Sequence, residues 1–165
     1  MLRNMHGGNV QRCLFRGRLK LEVAHGEELS ELVRMGCYDF VDENIHKFAK
    51  PLAYELKSFS KLAFYRLKGM AYSQDILAVM KSFGHRPITC EELLSLGAEY
   101  PRLQEQFPVV ALGSTMRDPE SGAILCPALT SNAVSPTSIS EGRHVRIFCF
   151  DLPWSGSHRF PGTRV

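Results

Sequence analysis

Apolar positions recur along this chain at two different spacings, and the alternation between them predicts a mixed α+β protein. The clearest stretch is 73–114. Ile76, Val79, Met80 and Phe83 fall three and four residues apart on one helical stripe. Ser73 is placed as its N-cap, Asp75 suits its positive first turn, and Gly84 is placed as its stop. Pro87 then holds Arg86 extended. Thr89 and Glu92 have the spacing of a capping box, with Ile88 and Leu93 positioned as a hydrophobic staple. Leu93, Leu94 and Leu96 supply the buried face of this second helix, and Gly97 weakens or ends it.

Elsewhere the spacing changes. Leu19, Leu21 and Val23 alternate with Arg18, Lys20 and Glu22, which predicts a half-buried strand. Leu29, Leu32 and Val33 mark a short helix over 28–35 that Gly36 closes, and residues 38–41 follow as a short strand or ordered turn. Residues 62–67 read as a largely buried strand, and 109–112 as a strand buried on both faces. Turn chemistry at 118–122 predicts a hairpin, with Pro127 moving part of the returning strand to an edge. Residues 144–150 form a strong strand. A last strand begins at His158, Arg159 and Phe160, and Pro161 and Gly162 are expected to interrupt it.

At 165 residues the chain is long enough for one self-sufficient core. The reading is a basic extension over 1–17, flexible in preference to a phosphate-binding arm carried by Arg3, Arg12 and Arg16, and a single α+β domain over 18–165. That domain divides into an opening strand-helix-strand segment, 18–72, and a helix pair followed by strands, 73–165. A formal charge of +3 does not by itself indicate nucleic acid. The 5 cysteines lack metal-ligand spacing, so they read as thiols in a reducing compartment. With no apolar run near the roughly 20 residues of a membrane helix, the expected location is cytoplasmic.

Three blocks, MGCYDFVDENI at 35–45, HRPITCEELLSLGAEYPRLQEQFPVVALGS at 85–114 and the closing WSGSHRFPGTRV, resemble a bacterial protein family to which no activity is attached. The resemblance covers about 19–165. The passage from a helix through Gly84 and Thr89 into the Glu91-Glu92-Leu93 helix is also similar to C-type-lectin-like domains of the formylglycine-generating-enzyme type. That second resemblance implies two helices packed on small antiparallel sheets, with ligand-facing loops near 114–122 and 129–143.

Motifs for catalysis are absent: there is no phosphate loop, zinc-binding histidine pair or nucleophile elbow. An enzyme of another type, with His144, His158 and Asp151 as acid-base groups, is the least favoured reading, and no metal or cofactor is expected. The preferred expectation is a non-catalytic binding or interaction module for a protein, peptide or sugar. Its surface would comprise Trp154, His158, Arg159 and Arg143 with the loop 130–142, because aromatic and arginine side chains dominate binding hot spots. The rival is nucleic-acid binding through the basic, aromatic stretch 47–68, carried by Lys47, Lys50, Lys57, Lys61 and Tyr65.

Overall fold

The computed structural model describes residues 9–13, 20–22, 28–48, 59–131 and 142–165. Among the described residues ten strands join in one mixed sheet: β1 Val10–Cys13, β2 Lys20–Glu22, β3 Phe40–Val41, β4 Phe59–Leu67, β5 His85–Pro87, β6 Val109–Val110, β7 Met116–Arg117, β8 Ile124–Ser131, β9 Arg143–Cys149 and β10 Arg159–Arg164. The helices are α1 Leu29–Gly36, α2 Ser73–Ser82 and α3 Cys90–Glu99, with a 3-10 helix at Glu43–Phe48. The main path of the sheet runs β1-β4-β10-β6-β8-β9-β3, and β2, β5 and β7 attach to β4, β10 and β8.

This architecture corrects the expectation of two helices on small antiparallel sheets in a C-type-lectin-like arrangement. The last strand is the reason. β10 lies antiparallel to β4 and parallel to β6, so it fuses the early and late strands into one sheet; β3 and β9 form a second parallel pair. Residues 10–13, inside the stretch expected to be a flexible extension, pair with β4 from Val10↔Leu67 to Cys13↔Phe64.

Two cores lie on opposite faces of the sheet, as strand alternation requires. Phe64, Val109, Leu129 and Val145 pack with Leu29, Leu32, Leu93, Leu94 and Leu96 of α1 and α3. Ala63, Tyr65, Val110, Ala128 and Phe160 pack on the other face with Ile76 and Met80 of α2 and with Trp154.

Local signals are realised where they depend only on neighbours. Thr89 Oγ1 accepts the Glu92 N–H at 3.3 Å, and the Glu92 carboxylate accepts the Thr89 N–H at 2.9 Å. Gly84 takes the left-handed conformation after α2, with φ of 68°. Ser73, however, is the first residue inside α2, and Tyr72 precedes it as the N-cap. The serine is turned inward, where its hydroxyl donates to the Phe150 carbonyl at 2.6 Å. At the end of α1 the left-handed residue is Cys37, with φ of 48°, and not Gly36. Gly36 is instead needed for space, because a Cβ there would overlap the ring of Tyr38.

Two prolines break the strand rule for one shared reason. Pro161 continues β10, and Pro127 continues β8 opposite Ile147 of β9. In a strand, a residue's nitrogen and carbonyl point to the same side. The Pro161 carbonyl accepts from Ile88 N–H at 3.2 Å, so its nitrogen faces the seam where β6 leaves β10 and β5 joins it. The Pro127 carbonyl accepts from Ala111 N–H at 3.0 Å, which places its nitrogen at the seam between β6 and β7. Neither position needs a donor.

Candidate functional site

The C-terminal residues expected to form a binding surface are committed within the fold. Trp154 is buried, donates from Nε1 to Ser73 Oγ at 2.8 Å, and exchanges backbone hydrogen bonds with Ala71. Its ring meets those of His158 at 5.2 Å and Phe160 at 5.5 Å between centroids. His158 lies against the Ser155–Ser157 turn, and burial holds its pKa below the ordinary histidine value. The Arg159 guanidinium donates to the carbonyls of Gly156 at 2.8 Å and His158 at 3.0 Å, and lies 5.0 Å from the Phe107 ring centroid. The loop that was to complete this surface lies outside the described residues between 132 and 141.

Arg143 joins two helix ends. It donates to Gly36 O at 2.6 Å and to Gly97 O at 2.5 Å, where the carbonyl ends of α1 and α3 carry partial negative charge. Its guanidinium lies 4.9 Å from the centroid of the Tyr38 ring, and the Tyr38 hydroxyl donates to Leu94 O at 3.2 Å. Burial pushes the Tyr38 phenol well above its ordinary pKa. Gly97 leaves the room that this ring fills.

The basic, aromatic stretch is divided by the fold. Tyr65 is fully buried, so its ring is closed to a stacking base, and Lys50 and Lys57 lie outside the described residues. Lys47 is exposed near the 118–122 turn. There Asp118 is held below its usual range chiefly by its hydrogen bond from Ser121, with Lys47 adding a lesser pull. Lys61 goes elsewhere.

A depression of about 300 Å³ opens at the end of the sheet on the α2 face, lined by Arg12, Lys61, Leu62, Ala63, His85 and Arg164. Its construction follows from register. Arg12 of β1 stands opposite Tyr65 of β4, and Arg164 of β10 stands opposite His85 of β5. Thr163 pairs with Leu62, which brings Arg164 beside Lys61. Three strands thus deliver one guanidinium or ammonium each, and a fourth delivers the imidazole. No carboxylate lines the depression, and no acid pairs with Arg12, Lys61 or Arg164, among the described residues. Nearby Arg86 is held differently: two 2.7 Å hydrogen bonds tie it to the buried carboxylate of Glu92.

His85 is buried at the wall of this depression, and its Nδ1 lies 2.5 Å from the Tyr65 hydroxyl. Burial first, then the charges of Arg12 and Arg164, hold the imidazole pKa below its ordinary value. Burial likewise raises the Tyr65 phenol, so it keeps its proton. When Tyr65 donates to Nδ1, the ring hydrogen sits on Nε2 as a remaining donor. Sequence reasoning raises Arg12 only as part of a basic N-terminal arm and does not group it with His85 and Arg164, because the three are remote in the chain and only strand pairing unites them.

Among the described residues no group of three or more His, Cys, Asp or Glu is placed to hold a metal ion, and no helix is long and apolar enough to cross a membrane. Cys90 and Cys126 are buried, and burial raises both thiols, that of Cys126 to about 12. No family model, curated protein or solved structure matches the chain.

Proposed function

We propose that the protein is a binding module whose ligand carries a phosphate-like oxyanion, held in the depression formed by Arg12, Lys61, His85 and Arg164. The observation that carries this reading is the convergence of three cations, unpaired with acid among the described residues, on one small concavity. Clustered like charges repel, and an anion placed among them relieves that repulsion. A carboxylate is satisfied by a single arginine fork, whereas cations arriving from several directions suit the several oxygens of a tetrahedral dianion. This reading moves the binding surface away from the 154–159 turn, whose polar groups are already used internally.

Calorimetric titration of the full chain with inorganic phosphate at low salt tests it. Saturable binding is expected, weakening at least about tenfold in Arg164→Ala, since a charge-assisted hydrogen bond is worth roughly 1.5–3 kcal/mol. Arg164 is exposed near the end of β10, so its loss leaves the core intact. Absence of binding, or equal binding by the variant, overturns the reading.

A further inference from the structure

The depression does not end at its basic wall. Phe83 caps the C-terminal end of α2 and leaves 49% of its surface exposed. Its ring centroid lies 6.2 Å from that of Tyr65 and 5.7 Å from the Arg12 guanidinium carbon. Tyr65 in turn meets His85 at the wall of the depression. Anion-binding groups and an exposed aromatic ring are therefore contiguous, with Arg12 belonging to both. The next residue keeps the approach clear: a Cβ built on Gly84 meets nothing within 4 Å. A side chain as apolar as phenylalanine, held exposed at a helix end beside a cluster of cations, provides a flat stacking surface.

Size then narrows the ligand. The volume of about 300 Å³ stands at the lower limit of the roughly 300–1,000 Å³ typical of small-molecule sites. It suits a phosphate with part of a sugar, and leaves an attached ring system outside, at the rim. From this juxtaposition we infer that the ligand is a nucleotide unit, with its phosphate among Arg12, Lys61, His85 and Arg164 and its base stacked on Phe83. The inference rests on the anion-binding reading and adds the second half of the ligand.

The test is a comparison of inorganic phosphate, adenosine and adenosine monophosphate as ligands of the full chain, by calorimetry at low salt. Three proteins are compared: the unmodified chain, Phe83→Ala and Arg164→Ala. Adenosine monophosphate is expected to bind about tenfold or more tighter than phosphate, the order of gain that base stacking supplies. Phe83→Ala is expected to abolish the advantage of the nucleotide over phosphate when both are measured on that variant, so the ratio of the two affinities falls toward one whatever happens to phosphate binding through the Arg12 guanidinium that lies over the ring. Arg164→Ala weakens both anions, and adenosine alone binds weakly throughout. If phosphate binds but the nucleotide gains nothing, or if Phe83→Ala leaves the gain intact, the nucleotide inference is overturned and the anion site stands. If none of the ligands binds, both fall. A short 5′-phosphorylated oligodeoxyadenylate tells the source of the unit: tighter binding than the mononucleotide points to a strand, and equal binding to the free nucleotide.

Discussion

At the scale of single residues, His85 governs how the proposed site responds to pH. Its folded pKa lies below the ordinary value because the ring is buried and faces Arg12 of β1 and Arg164 of β10, with neutral Tyr65 of β4 on Nδ1. The unfolded chain therefore binds the proton more readily. This group's contribution to stability is complete above the unfolded pKa of about 6.5 and is lost as pH falls through the lower folded value. A bound oxyanion favours imidazolium, so it raises that pKa, and by linkage the anion binds more tightly as pH falls. Sulfate keeps its charge over the histidine range, roughly pH 5 to 8. Sulfate affinity is expected to rise as the solution is acidified through that range, and His85→Asn to flatten the profile. A flat profile in the unmodified chain contradicts the assignment. Arg143 carries a second prediction. Its fork holds carbonyls of two helices, and a lysine cannot reproduce both bonds. Arg143→Lys is expected to lose about 1.5–3 kcal/mol in a urea melt, with no change in phosphate affinity.

At the scale of elements, what was legible in the sequence was local. The Thr89–Glu92 capping box could be read because all its partners lie within one turn. What could not be read is that Glu92 is also the buried partner of Arg86. Thr89→Ala is thus expected to cost roughly 1 kcal/mol, whereas Glu92→Ala, which removes the buried carboxylate that faces the Arg86 guanidinium, costs about 3–5 kcal/mol. Comparable small losses in denaturant midpoints would show that the ion pair contributes nothing. The prolines show the opposite case. A strand proline is disfavoured only if a neighbouring strand needs its N–H, and whether one does is a property of the assembled sheet. Pro161 and Pro127 sit at seams, so the expected interruption and edge did not occur. Pro161→Val, favourable by strand propensity, is expected to destabilise by about 1–3 kcal/mol, because it buries a donor with no ladder partner. A rise in the urea midpoint would contradict this account of the seam.

At the scale of the whole molecule, the sheet makes the site. Arg12, Lys61, His85 and Arg164 lie in four strands, and the pairing of β1 with β4, β4 with β10 and β10 with β5 sets them around one depression. No window of sequence contains this cluster. Lys61 stood out only as one cation in a basic, aromatic run, and that run is divided by the fold, with Tyr65 turned into the core. Trp154 and Arg159 attracted attention by residue type, which does not reveal that their polar atoms are already bonded to Ser73 and to the 156–158 carbonyls. The most direct test of the proposed oxyanion site is an amide nitrogen–proton NMR titration of the full chain with inorganic phosphate. The predicted result is a saturable set of shifts at Arg12, Lys61, His85 and Arg164, with the amides of Trp154, His158 and Arg159 unmoved. Shifts clustered at residues 154–159, with the depression silent, would contradict it and return the binding surface to the C-terminal turn.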